Sequence, residues 1–248
     1  MNQVVDAVEG GLPGPVADHL ARFVGAAEAA LGPLLKSIVL FGSAAEGRLR
    51  PTSDVNLLIV LSGWDDAKLD ALREPLRTAQ AAARLSAMVL LAGEVEAAIE
   101  AFPAKFGDIL RRRKVLFGPD PMAGRVVPRG AEIAHVRQVL LNLALRLRER
   151  YLSVSLREEQ AARVLAEASG PLRASAASLL ALEGKPAPSP KEALAALARE
   201  VPGEWEDVLR DVSLAREGAP LPPGAAPASL RRLVRLAQGL SERARTLA

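Results

Sequence analysis

Residues 37–61 read S-I-V-L-F-G-S-A-A-E-G-R-L-R-P-T-S-D-V-N-L-L-I-V-L. Two apolar runs, 37–41 and 55–61, have the length and branched side chains of strands, and a glycine-bearing turn and a polar loop join them. Gly42-Ser43 opens the turn, where the lack of a side chain at glycine lets a ligand approach backbone N–H groups closely. Ser53-Asp54 stands at the mouth of the second strand, with Asn56 two residues on. Alternate residues of a strand share a face, so Asp54 and Asn56 look together toward whatever Gly42 and Ser43 hold. A phosphate cradle opposite a carboxylate is the minimum equipment of a metal–nucleotide site. Each residue also has a purely structural reading: Gly42 as a turn glycine, Ser53-Asp54 as a loop cap, Asn56 as an ordinary strand residue. It is their combination and spacing that argue for a site.

That combination resembles the nucleotidyltransferase fold of the DNA polymerase beta superfamily, in particular the minimal branch that includes kanamycin nucleotidyltransferase. The family pattern is an apolar strand, G-S, a short loop, S-D-x-D and a second apolar strand, with a further carboxylate on a later strand. Gly42, Ser43, the following Gly47, the loop length and Ser53-Asp54 match it. Asn56 stands in place of the second aspartate. The later strand is expected at residues 85–91, L-S-A-M-V-L-L, and offers Ser86, Ala87 and Met88 where the third carboxylate belongs. The resemblance implies nucleotide binding by Gly42, Ser43 and Ser53. It leaves Asp54 as the residual catalytic residue, and Asp54 with the amide oxygen of Asn56 as the metal ligands.

In the family, three carboxylates hold two magnesium ions, and the third also acts as general base. Magnesium is commonly held by one or two carboxylates together with phosphate oxygens, so Asp54 and Asn56 suffice at most for an ion that arrives with the nucleotide. A general base is worth roughly 10²–10⁴-fold in rate. The expectation is therefore a degenerate transferase that keeps the nucleotide pocket, holds Mg weakly or not at all, and transfers little or nothing. Two alternatives stand beside it. One is an active enzyme moving a nucleoside monophosphate from NTP-Mg to a small molecule or protein, with the acceptor in a cleft between domains. The other is a non-enzymatic, toxin–antitoxin-like interaction protein with a vestigial pocket. Glu46, in the turn, and Glu94, past the third strand, are weighed as substitute carboxylates. The dense basic run Arg111-Arg112-Arg113-Lys114 reads as a helix C-terminus complementing the helix dipole.

At 248 residues the chain has room for two domains. Half of it is hydrophobic and only 3% aromatic, which leans toward helices. A net charge of +3 suits an anionic ligand but is too small to argue for a nucleic-acid binder. The absence of cysteine excludes disulfides and thiolate metal sites. Asp6 and Glu9 interrupt any signal-peptide pattern, and no apolar run approaches the roughly 20 residues that span a bilayer. A cytoplasmic protein without membrane contact is expected; a homodimer or a protein partner is left open.

In chain order, helices are expected at 16–31, at about 65–84 with a kink or break at Pro75, at 94–101 and at 103–113, with an edge strand at 115–117. The fold class expected is an α/β (α+β) domain with a small mixed sheet over residues 1–120. After a Gly/Pro-rich linker, an all-α antiparallel bundle follows over 128–248. Its helices are expected at 132–154, 156–169, 172–182, 191–200, 204–217 and 229–247, with Gly170-Pro171 breaking the second from the third. This bundle looks like the HEPN-related domains that accompany minimal nucleotidyltransferases. Arg129 and His135 satisfy the R-x4–6-H spacing of HEPN ribonucleases, but at the start of the domain rather than on a later helix.

Overall fold

The computed structural model describes residues 12–49 and 54–248; Ser53 lies outside them. The chain divides into two compact units, one ending at Pro128 and the other beginning at Arg129. In the first, α1 (Gly14–Leu31), β1 (Leu35–Phe41) and β2 (Val55–Leu61) are followed by α2 (Asp66–Ala83) and β3 (Leu85–Leu91). Two short helices, α3 (Val95–Ala101) and α4 (Pro103–Arg111), lead to β4 (Arg113–Phe117). The sheet order is β3-β2-β1-β4. β1 pairs antiparallel with both β2 and β4, whereas β2 and β3 run parallel because α2 crosses over between them. The sheet is thus mixed.

Helices cover both faces of this sheet, which explains why β2 is apolar almost throughout rather than alternating. Ile38, Leu40, Leu57 and Ile59 pack with Leu20, Phe23 and Val24 of α1 and Leu72 of α2. Val39, Phe41, Leu58 and Val60 pack with Val95, Ile99, Phe106 and Ile109 of α3 and α4. Asp65 caps α2 by accepting the Lys68 N–H. Pro75 lies inside α2, which continues past it. The basic run does not sit wholly on a helix end: Arg111 closes α4, Arg112 follows as its cap, and Arg113 and Lys114 belong to β4. The segment expected as a linker packs onto the first unit. Met122 is fully buried with the α3–α4 core, and Asp120 takes the Arg113 guanidinium through both carboxylate oxygens.

The second unit is an all-helical bundle of α5 (Arg129–Val154), α6 (Glu158–Leu182), α7 (Pro190–Glu200), α8 (Glu206–Arg216) and α9 (Ala225–Arg245). The break expected at Gly170-Pro171 does not occur; α6 runs through both residues. Proline inside a helix costs about 3 kcal/mol, and the surrounding burial offsets it: Leu165, Ala168, Leu172, Ala176 and Leu179 are all enclosed. Helix ends are tied by long-range contacts. Glu158 accepts the Gly224 and Ala226 N–H groups at the start of α9, and Arg137 donates to the carbonyls of Ala244, Arg245 and Leu247 at its end. No helix among the described residues is long and apolar enough to cross a membrane.

Arg243 of α9 is held by Glu183 at 2.7 Å and Glu200 at 2.6 Å. The hydrogen bond from Arg243 holds the Glu183 carboxyl below its ordinary value near 4.5, against the opposing effect of burial. A depressed carboxylate stabilises the fold above its unfolded pKa, and that contribution is lost as pH falls through the folded value. The melting temperature is therefore expected to drop as pH falls below about 4.5. In Glu183→Gln the neutral-pH melting temperature falls and the acid limb becomes shallower; a variant with the same acid limb as the parent would contradict this.

Candidate functional site

The register across the sheet builds the site. Asn56 of β2 is paired with Phe41 of β1 on one side and Ser86 of β3 on the other, and Phe41 is paired in turn with Arg113. Asn56 therefore lies in a row whose next positions are Ser86, Phe41 and Arg113. Gly42 leaves β1 at the end of that row with φ +76, in the left-handed region that favours glycine. A Cβ built on Gly42 would lie 3.8 Å from Asn56 Nδ2. The turn glycine and the strand asparagine, far apart in sequence, are thus neighbours.

The turn from Gly42 to Gly47 is closed by its own backbone. Ala45 N–H donates to the Gly42 carbonyl, Gly47 N–H to Ala44 and Arg48 N–H to Ser43, while the Gly42 N–H donates to the Arg112 carbonyl. The first N–H groups of a helical turn have no partner within it. With that of Gly42 engaged, the donors such a turn offers a ligand are those of Ser43 and Ala44.

Asp54 is exposed just before β2, and its Oδ1 accepts from Arg84 Nε at 3.1 Å. The Asn56 amide nitrogen donates to the Asp54 carbonyl at 3.4 Å. Arg84 was not singled out in the sequence. The signal available was its place immediately before β3, which runs parallel to β2, so that the Val55 N–H donates to the Arg84 carbonyl.

The two acids weighed as substitutes have other partners. Glu46 receives Arg112 Nη1 at 3.3 Å, and the same guanidinium donates through Nε to Asp108 at 2.7 Å. The Asp108 hydrogen bond, opposed by partial burial and supported by Glu46, raises Arg112 above the ordinary arginine value. Glu94 accepts the Leu91 N–H at 2.9 Å and so closes the turn after β3. Ser86 is exposed, and Met88 is half-buried against the α3–α4 core. Among the described residues no three His, Cys, Asp or Glu side chains gather as a metal site. The donor set beside Gly42 is one carboxylate bound to a guanidinium and one neutral amide, which does not fit a pair of magnesium ions. In the second unit, Arg129 donates to the Ala248 carbonyl, a structural duty.

Comparison with known proteins agrees with the sheet and its turn. The nucleotidyltransferase domain family matches residues 24–112, a span that takes in β1, the Gly42 turn, Asp54, β2, β3 and α4. Among solved structures, spectinomycin adenyltransferase from Enterococcus faecialis, solved with ATP and spectinomycin, is similar with a TM-score of 0.54 and 14% identity. The match covers 89% of this chain and 98% of that one, and at this identity it shows the fold. No curated protein matches the chain.

Proposed function

We propose, from the match of residues 24–112 to the nucleotidyltransferase domain family, that the protein binds a nucleoside triphosphate between the Gly42 turn and the mouth of β2 while transferring little or no nucleotide. The supporting observation is the row Ser86–Asn56, which carries no acid beside Asp54, itself paired with Arg84. Ser43 and Ala44 hold phosphate through their backbone N–H groups, in the turn that the left-handed Gly42 opens; Ser53, outside the described residues, is a further candidate from the sequence. Asp54 and Asn56 face the phosphates. Magnesium has little purchase there, because the Arg84 guanidinium is paired with the one carboxylate and would repel a divalent ion beside it.

A second reading keeps transfer. The structural neighbour was solved with both ATP and spectinomycin, so a working site here would move a nucleoside monophosphate onto a small hydroxylated acceptor. Titration of ATP, GTP, CTP and UTP in magnesium, followed by transfer from α-labelled nucleotide to spectinomycin or to protein, distinguishes the two. Saturable binding without labelled product is expected. Product that accumulates in the parent and vanishes in Asp54→Ala favours the active enzyme. No binding at millimolar nucleotide leaves the interaction-protein reading.

A further inference from the structure

Arg84 is the one non-glycine among the described residues with a positive φ, +50°. It ends α2 in the left-handed conformation where glycine is the usual occupant, so an arginine holds the position against a backbone cost. The Val55 N–H bond to its carbonyl fixes that backbone beside β2. From there its side chain reaches Asp54 and remains 60% exposed. Only Nε is engaged by a described residue, which leaves a planar pair of terminal nitrogens suited to two phosphate oxygens. A cation at a helix C-terminus also complements the dipole, but that duty requires neither a left-handed backbone nor a contact across to β2. Exposed ion pairs of this kind hold weakly, so an incoming phosphate can share or displace Asp54.

Resting on the nucleotide-binding reading above, we infer that Arg84 takes the part a metal ion would otherwise play. The triphosphate of a nucleotide is held by the Arg84 guanidinium together with the Ser43 and Ala44 N–H groups, without need of a divalent cation. Asp54 then serves as the resting counter-ion of Arg84.

Calorimetric titration of the full chain with ATP and with inorganic tripolyphosphate, in EDTA and in magnesium, tests this. Dissociation constants in EDTA are expected within about threefold of those in magnesium. Arg84→Gly, which suits the left-handed backbone, is expected to weaken EDTA binding roughly tenfold or more, with Arg84→Lys intermediate. Asp54→Asn, which removes the competing acid, binds as tightly as the parent or more so in EDTA. Thermal melts of Arg84→Gly at or above the parent value show that the fold is kept; if they fall, Arg84→Lys and Asp54→Asn carry the test. Binding that requires magnesium, or that Arg84→Gly leaves within about twofold in EDTA, overturns the inference while the nucleotide-binding reading stands. No binding of ATP in either medium overturns both.

Discussion

Asn56→Asp combined with Ser86→Glu is expected to raise pyrophosphate release from ATP in magnesium by roughly 10²–10⁴-fold over the parent, the range a positioned general base supplies. The sequence leaves Ser86 and Met88 open as the place for the missing acid, and the register decides between them. Ser86 is the direct partner of Asn56 and is exposed, whereas Met88 is paired with Leu58 and is packed among Leu90 and the α3–α4 core. Adjacent strands lie about 4.8 Å apart, so acids at 56 and 86 fall within the range at which carboxylates share a cation. Release is read with water and with a panel of hydroxylated amines as acceptors. A double variant no faster than the parent would show that the scaffold cannot be reactivated by charge alone. A parent already as fast as the double variant would show that charge was never lacking.

Gly118→Ala is expected to lower the stability of the first unit by about 2–5 kcal/mol, combining left-handed backbone strain with overpacking. Gly118 follows β4 with φ +70, and a Cβ there would lie 2.0 Å from the Lys36 carbonyl oxygen and 3.3 Å from Ser37 Cα. Those atoms are backbone of β1, tied to β4 by the Ile38–Phe117 pairing and by Ser37 Oγ donating to the Phe117 carbonyl at 3.0 Å. They cannot yield without opening the β1–β4 pairing at the start of β1, the end of the strand away from the Gly42 turn. Gly124 is the control: it shares φ +70 but has nothing within 4 Å of a built Cβ. Gly124→Ala carries only the backbone cost, about 1 kcal/mol. Urea melts should show a large shift for the first and a small one for the second; equal shifts would mean that the Lys36 contact does not matter.

What the sequence discloses depends on how local the cause is. β2 begins and ends where its apolar run does, at Val55–Leu61, because burial on both faces leaves a nearly uninterrupted hydrophobic signal. β3 also keeps the expected bounds, Leu85–Leu91, although it is an edge strand with Ser86 and Val89 exposed. β1 starts two residues earlier than expected, at Leu35. The closeness of Gly42 and Asn56 follows from strand alternation plus a G-S turn, both readable in one dimension. Arg84 is a different case. Its left-handed backbone and its reach to Asp54 come from how α2 returns to lay β3 beside β2, and composition carries no trace of that. The same holds for Pro171, where the local rule ends a helix and the core around Leu172 carries it through. It holds also for the basic run, whose members are divided between a helix end and a strand that takes Asp120 as partner.

Counting bound manganese by electron paramagnetic resonance, on the full chain saturated with a non-hydrolysable ATP analogue, addresses the shortage of carboxylates at its source. One carboxylate beside a guanidinium has room for no more than the ion that travels with the nucleotide, so at most one manganese per chain is predicted. Two per chain, with one lost in Asp54→Ala, would contradict the account.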